Sequence, residues 1–148
     1  MEINKVGVVG CGLMGSGIAQ IAAQAGCDVV VREVDEALCA KGKGKIEKFL
    51  GKAVEKGKLS QEDMDAILGR MTFTTELSDF ADCDLVVEAI IENLDIKREL
   101  FAELDKICPE HTIFGSNTSS LSVGDMAAAT NRGERFVGLH FFNPVPLM

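Results

Sequence analysis

The chain has 148 residues, 47% of them hydrophobic and 26% charged, with a net charge of −8 at pH 7. That is one globular domain's worth of sequence, enough to bury roughly two thirds of its surface, and it is neither disordered nor fibrous. The acidic balance argues against non-specific nucleic-acid binding, which needs a basic footprint, and five cysteines without a C-x-x-C point to free thiols in a reducing compartment.

Ile3–Val9 is predicted as the first strand, nearly all apolar, as in a strand buried on both faces of a parallel sheet. Gly10, Gly12 and Gly15 follow it as G-x-G-x-x-G, with Cys11, Leu13 and Met14 between them. In a strand–turn–helix context this pattern binds the pyrophosphate of a dinucleotide. The first glycine permits the turn, the second lets the backbone approach the phosphates, and the third lets the helix pack close. The phosphates then sit at the positive end of the helix. Within the turn, Cys11 reads as a small filler rather than a nucleophile. Leu13–Ala25 is the predicted helix, stopped by Gly26. Residues 6–27 carry no charge, yet six glycines and two glutamines interrupt them and no basic segment precedes them. They read as a buried strand and helix of a soluble, cytoplasmic protein with no membrane association, not as a signal peptide or span.

Val29–Val31 is the second strand. Glu33 lies 23 positions after Gly10, close to the spacing of an acid that grips the adenosine ribose. Residues 35–69 form a long, polar, helical insert. From 41 to 58 it holds seven lysines and two glutamates, and Lys41, Lys45, Lys48, Lys52 and Lys56 fall on one helical face. That face is either solvated or an anion-binding surface for a phosphorylated substrate. Gly42, Gly44 and Gly51 weaken this helix, whose start is expected to fray. Asp84–Glu88 and Thr112–Ser116 are further strands, each followed by a helix, at about 93–107 and 122–128. Ser122 and Asp125 stand at capping spacing before the second of these. Phe136–Phe142 is the last strand. Alternating strands and helices predict βαβ units and a doubly wound, mostly parallel α/β sheet in one domain, residues 1–148.

Of two histidines, His111 follows Pro109-Glu110 and reads as a surface residue. His140 ends an apolar strand, at the carboxyl edge where ligands of open α/β sheets bind. With an ordinary pKa of about 6.5 it suits a general base, although a structural histidine fits the bare pattern equally well. Ser116-Asn117-Thr118-Ser119-Ser120 lies at the same edge, as either turn chemistry or a site loop. No metal-ligand spacing is present.

In this order, Gly10–Gly15, Asp84-Leu85-Val86-Val87-Glu88-Ala89, Ser116–Ser120 and His140-Phe141-Phe142-Asn143-Pro144 resemble the N-terminal domain of the 3-hydroxyacyl-CoA dehydrogenase family. The pattern is nearest to the bacterial 3-hydroxybutyryl-CoA-type members and covers essentially the whole chain. The resemblance implies a Rossmann fold, NAD as cofactor, an acyl-CoA substrate and reversible hydride transfer at C3 of a (3S)-3-hydroxyacyl-CoA, in fatty-acid or butyrate metabolism. It implies that Gly10–Gly15 hold the pyrophosphate and that Glu33 takes an aspartate's place on the ribose. Glu92, Lys97 and Asn117 join them as cofactor contacts, and Asn143 lines the nicotinamide pocket. Ser119 bonds the substrate oxygen beside the cofactor, His140 is the base, and Lys56, with Lys52 one turn before it, meets the CoA portion.

The family's helical C-terminal domain, which brings the dimer contact, and the glutamate that orients the histidine both fall after Met148. The expectation is therefore a 148-residue chain that binds NAD but turns over poorly by itself, and a homodimer for the complete protein. Arg32 beside Glu33 leaves NADP open, since arginine can bind a 2′-phosphate that the carboxylate repels. Two other classes stay open: a Rossmann dehydrogenase of another small hydroxy acid, and a non-catalytic NAD-binding module. The first lacks the lysine-rich insert and the two later motifs. The second would not oxidise NADH with acetoacetyl-CoA.

Overall fold

The computed structural model describes residues 1–148. Six parallel strands form one sheet: β1 (Lys5–Val9), β2 (Asp28–Arg32), β3 (Met71–Thr74), β4 (Leu85–Glu88), β5 (Ile113–Ser116) and β6 (Phe136–Gly138). Their order is β3-β2-β1-β4-β5-β6, that of doubly wound Rossmann sheets, with the switch of direction beside β1.

Side chains alternate along each strand, so each face of the sheet has its own core. Val6, Val8, Val29, Val31 and Val87 point to one face. There they meet Ile18, Ala19 and Ala23 of α1 (Leu13–Gln24), Ile46 and Leu50 of α2 (Glu36–Glu55), and Ile67 of α3 (Gln61–Gly69). Val9, Val30, Val86 and Phe114 point to the other face. They meet Leu100, Phe101 and Leu104 of α4 (Leu94–Ile107) and Met126 of α5 (Val123–Ala127). Coverage on both faces is why the central strands read as apolar runs rather than alternating ones. No helix is long and apolar enough to cross a membrane.

Four features depart from the sequence reading. The insert is two helices, broken at Gly57, which adopts φ +71°. It returns to the sheet through β3, an unpredicted edge strand whose short Met-Thr-Phe-Thr run carries little apolar signal. The start of α2 does not fray. Asp35 caps it by accepting the Leu38 N–H, and Gly42 is buried within it. Finally, β6 ends at Gly138 rather than at Phe142. Leu139 N–H still donates to Ser116 O, but Phe141 N–H is taken by the Asn117 side chain, which ends the ladder. His140 therefore sits on a loop beyond the strand.

The two edges of the sheet differ in chemistry. At the amino edge, Asp84 accepts the N–H groups of Asn4 and Lys5 and pairs with His111 at 2.9 Å. The His111 contact, then the two backbone donors, hold the Asp84 carboxyl below the usual carboxylate range. His111 thus ties strand starts together, far from the glycine turn. Nearby, the buried Arg132 bonds Asp105 and the carbonyls of Pro109, Thr112 and Cys108, closing the end of α4. The carboxyl edge carries the glycine turn, Glu33, the 116–120 loop and His140.

Candidate functional site

The turn after β1 is built to receive a ligand. Gly10 adopts φ +97°, in the region that favours glycine, and a Cβ there would lie 2.6 Å from Ala89 O. A Cβ on Gly15 would strike Gly10 O, so this glycine lets α1 close against the turn. Gly12 differs: nothing lies within 4 Å of where its Cβ would be. Its backbone is open to whatever approaches. The helix starts repeat the contrast. α2, α3, α4 and α5 are capped by Asp35, Ser60, Asn93 and Ser122. α1 has no side-chain cap and no acid in its first turn. Its leading N–H groups and positive dipole end stay available to an anion. These residues fit a dinucleotide pyrophosphate.

Cys11 is a packing residue. Its side chain lies where a Cβ of Gly42 would be, which explains both the glycine inside α2 and how α2 reaches the turn. Burial first, and then the Glu33 charge, push the Cys11 thiol up to about 12. A thiol so protonated is no nucleophile. Glu33 accepts the Cys11 N–H at 2.5 Å and the Val34 N–H at 3.2 Å, so its carboxylate already clasps the turn. Arg32 Nε donates to Thr75 O at 3.1 Å, which turns that guanidinium toward the β3 exit.

Beside the turn lies a cavity of about 410 Å³, lined among others by Met14, Glu92, Asn117, Ser119, His140 and Asn143. The first turn of α1 and the loops after β4, β5 and β6 supply these residues. His140 is exposed and stacks at 4.8 Å on Phe142. Asn117 is held in place by accepting the Phe141 N–H at 3.0 Å, which fixes the chain next to His140. Ser119 is exposed on its loop.

Beneath this cavity runs a buried ionic network. Lys97 Nζ lies 3.0 Å from Glu88 Oε2 and 2.5 Å from Glu92 Oε1, and the side chains of Lys97 and Glu88 have no solvent exposure. Glu88 also accepts from Ser116 Oγ and the Ile90 N–H. Glu92 accepts from Thr118 Oγ1 at 2.7 Å and Ser120 Oγ at 3.4 Å. Burial alone would raise the Glu92 pKa, but the Lys97 and Thr118 hydrogen bonds outweigh it and hold the carboxyl below its usual range.

Lys97, which the resemblance names as a cofactor contact, is bonded here to Glu88 and Glu92. Its ammonium is sealed between two carboxylates and reaches the cavity only through Glu92. Glu88 and Thr118, to which the sequence reading gave no role, complete the network. The signal for Glu88 was present: a charge ending an apolar strand needs a buried partner. Lys52 on α2 and Lys56 just past its end lie exposed with no ion pair, as do Lys41, Lys45 and Lys48 on α2, and none of the five lines this cavity.

Comparison with known proteins adds the family. Residues 5–148 match the family described as 3-hydroxyacyl-CoA dehydrogenase, NAD binding domain. A probable 3-hydroxybutyryl-CoA dehydrogenase of Deinococcus radiodurans is 55% identical over 97% of this chain and 51% of its own. Human mitochondrial hydroxyacyl-coenzyme A dehydrogenase is 48% identical over 99% of this chain and 48% of its own. Among solved structures, Mycobacterium tuberculosis FadB2 superposes with a TM-score of 0.96 at 48% identity, covering 100% of this chain and 52% of that one. The chain thus spans about half the length of the curated relatives it matches. With its uncapped glycine turn, its carboxyl-edge cavity and a match from residue 5 to residue 148, this chain belongs to the 3-hydroxyacyl-CoA dehydrogenase family, as its NAD-binding domain.

Proposed function

We propose that residues 1–148 form the cofactor-binding and base-bearing domain of an enzyme that oxidises (3S)-3-hydroxyacyl-CoA at C3 and runs the reverse reduction. Short-chain substrates, 3-hydroxybutyryl-CoA and acetoacetyl-CoA, are the preferred pair. One observation carries the reading: Ser119 and His140 line the same cavity as Met14, in the first turn of the uncapped helix. Bound NAD supplies the hydride acceptor, and NADH the donor. In oxidation a His140 ring nitrogen takes the hydroxyl proton as C3 gives up hydride, and the C–O bond becomes a carbonyl. In reduction the same nitrogen returns the proton, while Ser119 donates to the developing alkoxide. Glu92, held by Lys97 and Thr118, faces the cavity as a fixed acceptor. Asn143 lines the nicotinamide side, Glu33 faces the adenosine ribose, and Lys52 and Lys56 offer charge to the CoA phosphates.

No carboxylate in this chain bonds the His140 ring, and an imidazole base works best when one fixes its tautomer. The domain by itself is thus expected to bind NADH and turn over slowly. Full activity and a homodimer are assigned to the protein joined to a helical second domain, acting in the cytoplasm in fatty-acid or butyrate metabolism. The test is acetoacetyl-CoA-dependent oxidation of NADH by that two-domain protein. His140→Ala should lower its turnover roughly 10²–10⁴-fold, the usual contribution of general acid–base catalysis, with NADH affinity nearly unchanged. Near-normal turnover would place the base elsewhere.

A further inference from the structure

Gly17 lies on α1 outside the G-x-G-x-x-G pattern, and the pyrophosphate cradle does not need it. A glycine inside a helix weakens it relative to alanine, so its presence calls for a close contact. That contact is the chain beyond His140. A Cβ on Gly17 would lie 2.8 Å from Val145 Cβ, 3.2 Å from Val145 Cγ2 and 3.3 Å from Pro146 Cδ. Val145 is the only buried residue after Phe136, and it belongs to the same core as Ile18 and Ile46. The loop bearing His140 and Asn143 is therefore pinned at two places. Near its start, Phe141 N–H donates to Asn117. At its end, Val145 seats on Gly17.

We propose that Gly17 is a positioning residue: its missing side chain seats Val145 and thereby sets how the His140–Asn143 loop stands over the cavity. Carbon atoms in contact need about 3.5–4.0 Å. One added methyl must thus lift Val145 by about 1 Å, and Asn143, two residues earlier, moves with it. The same helix holds the glycine turn at its start and the base-bearing loop on its flank, so α1 couples the two halves of the site. This inference rests on the reading that the cavity takes the nicotinamide end of the cofactor.

The test compares NADH with ADP-ribose, which lacks the nicotinamide, by calorimetry on this chain. Gly17→Ala should weaken NADH about tenfold and leave ADP-ribose within twofold. The double variant Gly17→Ala/Val145→Gly, which removes the Val145 Cβ that lies 2.8 Å from the added methyl, should bring NADH affinity back to within threefold of wild type. Val145→Phe imposes the same displacement from the loop side, so the inference is testable even if Gly17→Ala does not fold. Unchanged NADH affinity in both single variants overturns it. So does a parallel loss of both ligands, or a double variant no better than Gly17→Ala. A wild type that binds NADH no tighter than ADP-ribose would instead overturn the nicotinamide reading of the cavity.

Discussion

Replacing Lys97 with methionine removes a charge the structure holds out of solvent between two carboxylates. Nζ lies 3.0 Å from Glu88 and 2.5 Å from Glu92, and neither Lys97 nor Glu88 has any exposed side-chain surface. Taking one partner from a buried pair typically costs about 3–5 kcal/mol, because the other charge is left uncompensated. Glu88 keeps the Ser116 hydroxyl and the Ile90 N–H, so the low end applies, about 3 kcal/mol. For a domain of this size that is a fall of roughly 6–12 °C in Tm. The deficit should depend on pH. A buried carboxylate without a cation favours its neutral form, so acid relieves the variant. In the wild type, the Glu92 carboxyl is held below its usual range. Its contribution is present above the ordinary carboxylate pKa and fades as pH falls through the depressed one. Both effects shrink the difference at low pH. Urea and thermal unfolding at pH 7 and at a pH below the ordinary carboxylate range, about 3.5, measure it. A deficit under about 1 kcal/mol, or one equal at both pH values, would refute the buried-pair account.

Gly12→Val should cost NADH at least tenfold in affinity, about 1.4 kcal/mol, while Tm barely moves, because its side chain enters open space where the pyrophosphate passes. Unchanged calorimetric affinity would mean the cradle lies elsewhere. Glu33→Ala should raise the NADP-to-NAD affinity ratio tenfold or more by removing the carboxylate next to Arg32; a constant ratio would remove the ribose from the end of β2. Asp84→Asn should lower stability at pH 7 by about 1–2 kcal/mol, through weaker bonds to two backbone donors and His111. Since the Asp84 carboxyl is held low in the fold, that loss should fade as pH drops below the carboxylate range, as denaturation curves from pH 7 to 3 would report.

Much of the site was legible because its signals are local. The glycine turn needs Gly10 for its φ and Gly15 for close packing, and these show as spacing. The apolar runs of β1 and β4 and the cap at Ser122 are likewise written over a few residues. Elements with weak local signal were misread. β3 is four residues on an edge, the break at Gly57 interrupts a helical pattern without disturbing its composition, and β6 stops early because Asn117, 24 residues away in sequence, takes the next N–H.

What the sequence by itself determined is the class of the protein and the chemistry of its parts. A strand–glycine-turn–helix, an acid at ribose spacing, a serine-rich loop and a late histidine need only short-range spacing to be read. What only the tertiary structure decided is which of these parts touch. Burial set Lys97 as the clamp between Glu88 and Glu92. Sheet order placed the start of α1 and the loops after β4, β5 and β6 around one cavity. Close packing made Gly42 the seat of Cys11 and Gly17 the seat of Val145. The two glycine seats join residues 42 − 11 = 31 and 145 − 17 = 128 positions apart. Their energies depend on desolvation and shape at the meeting point, which no window of sequence contains.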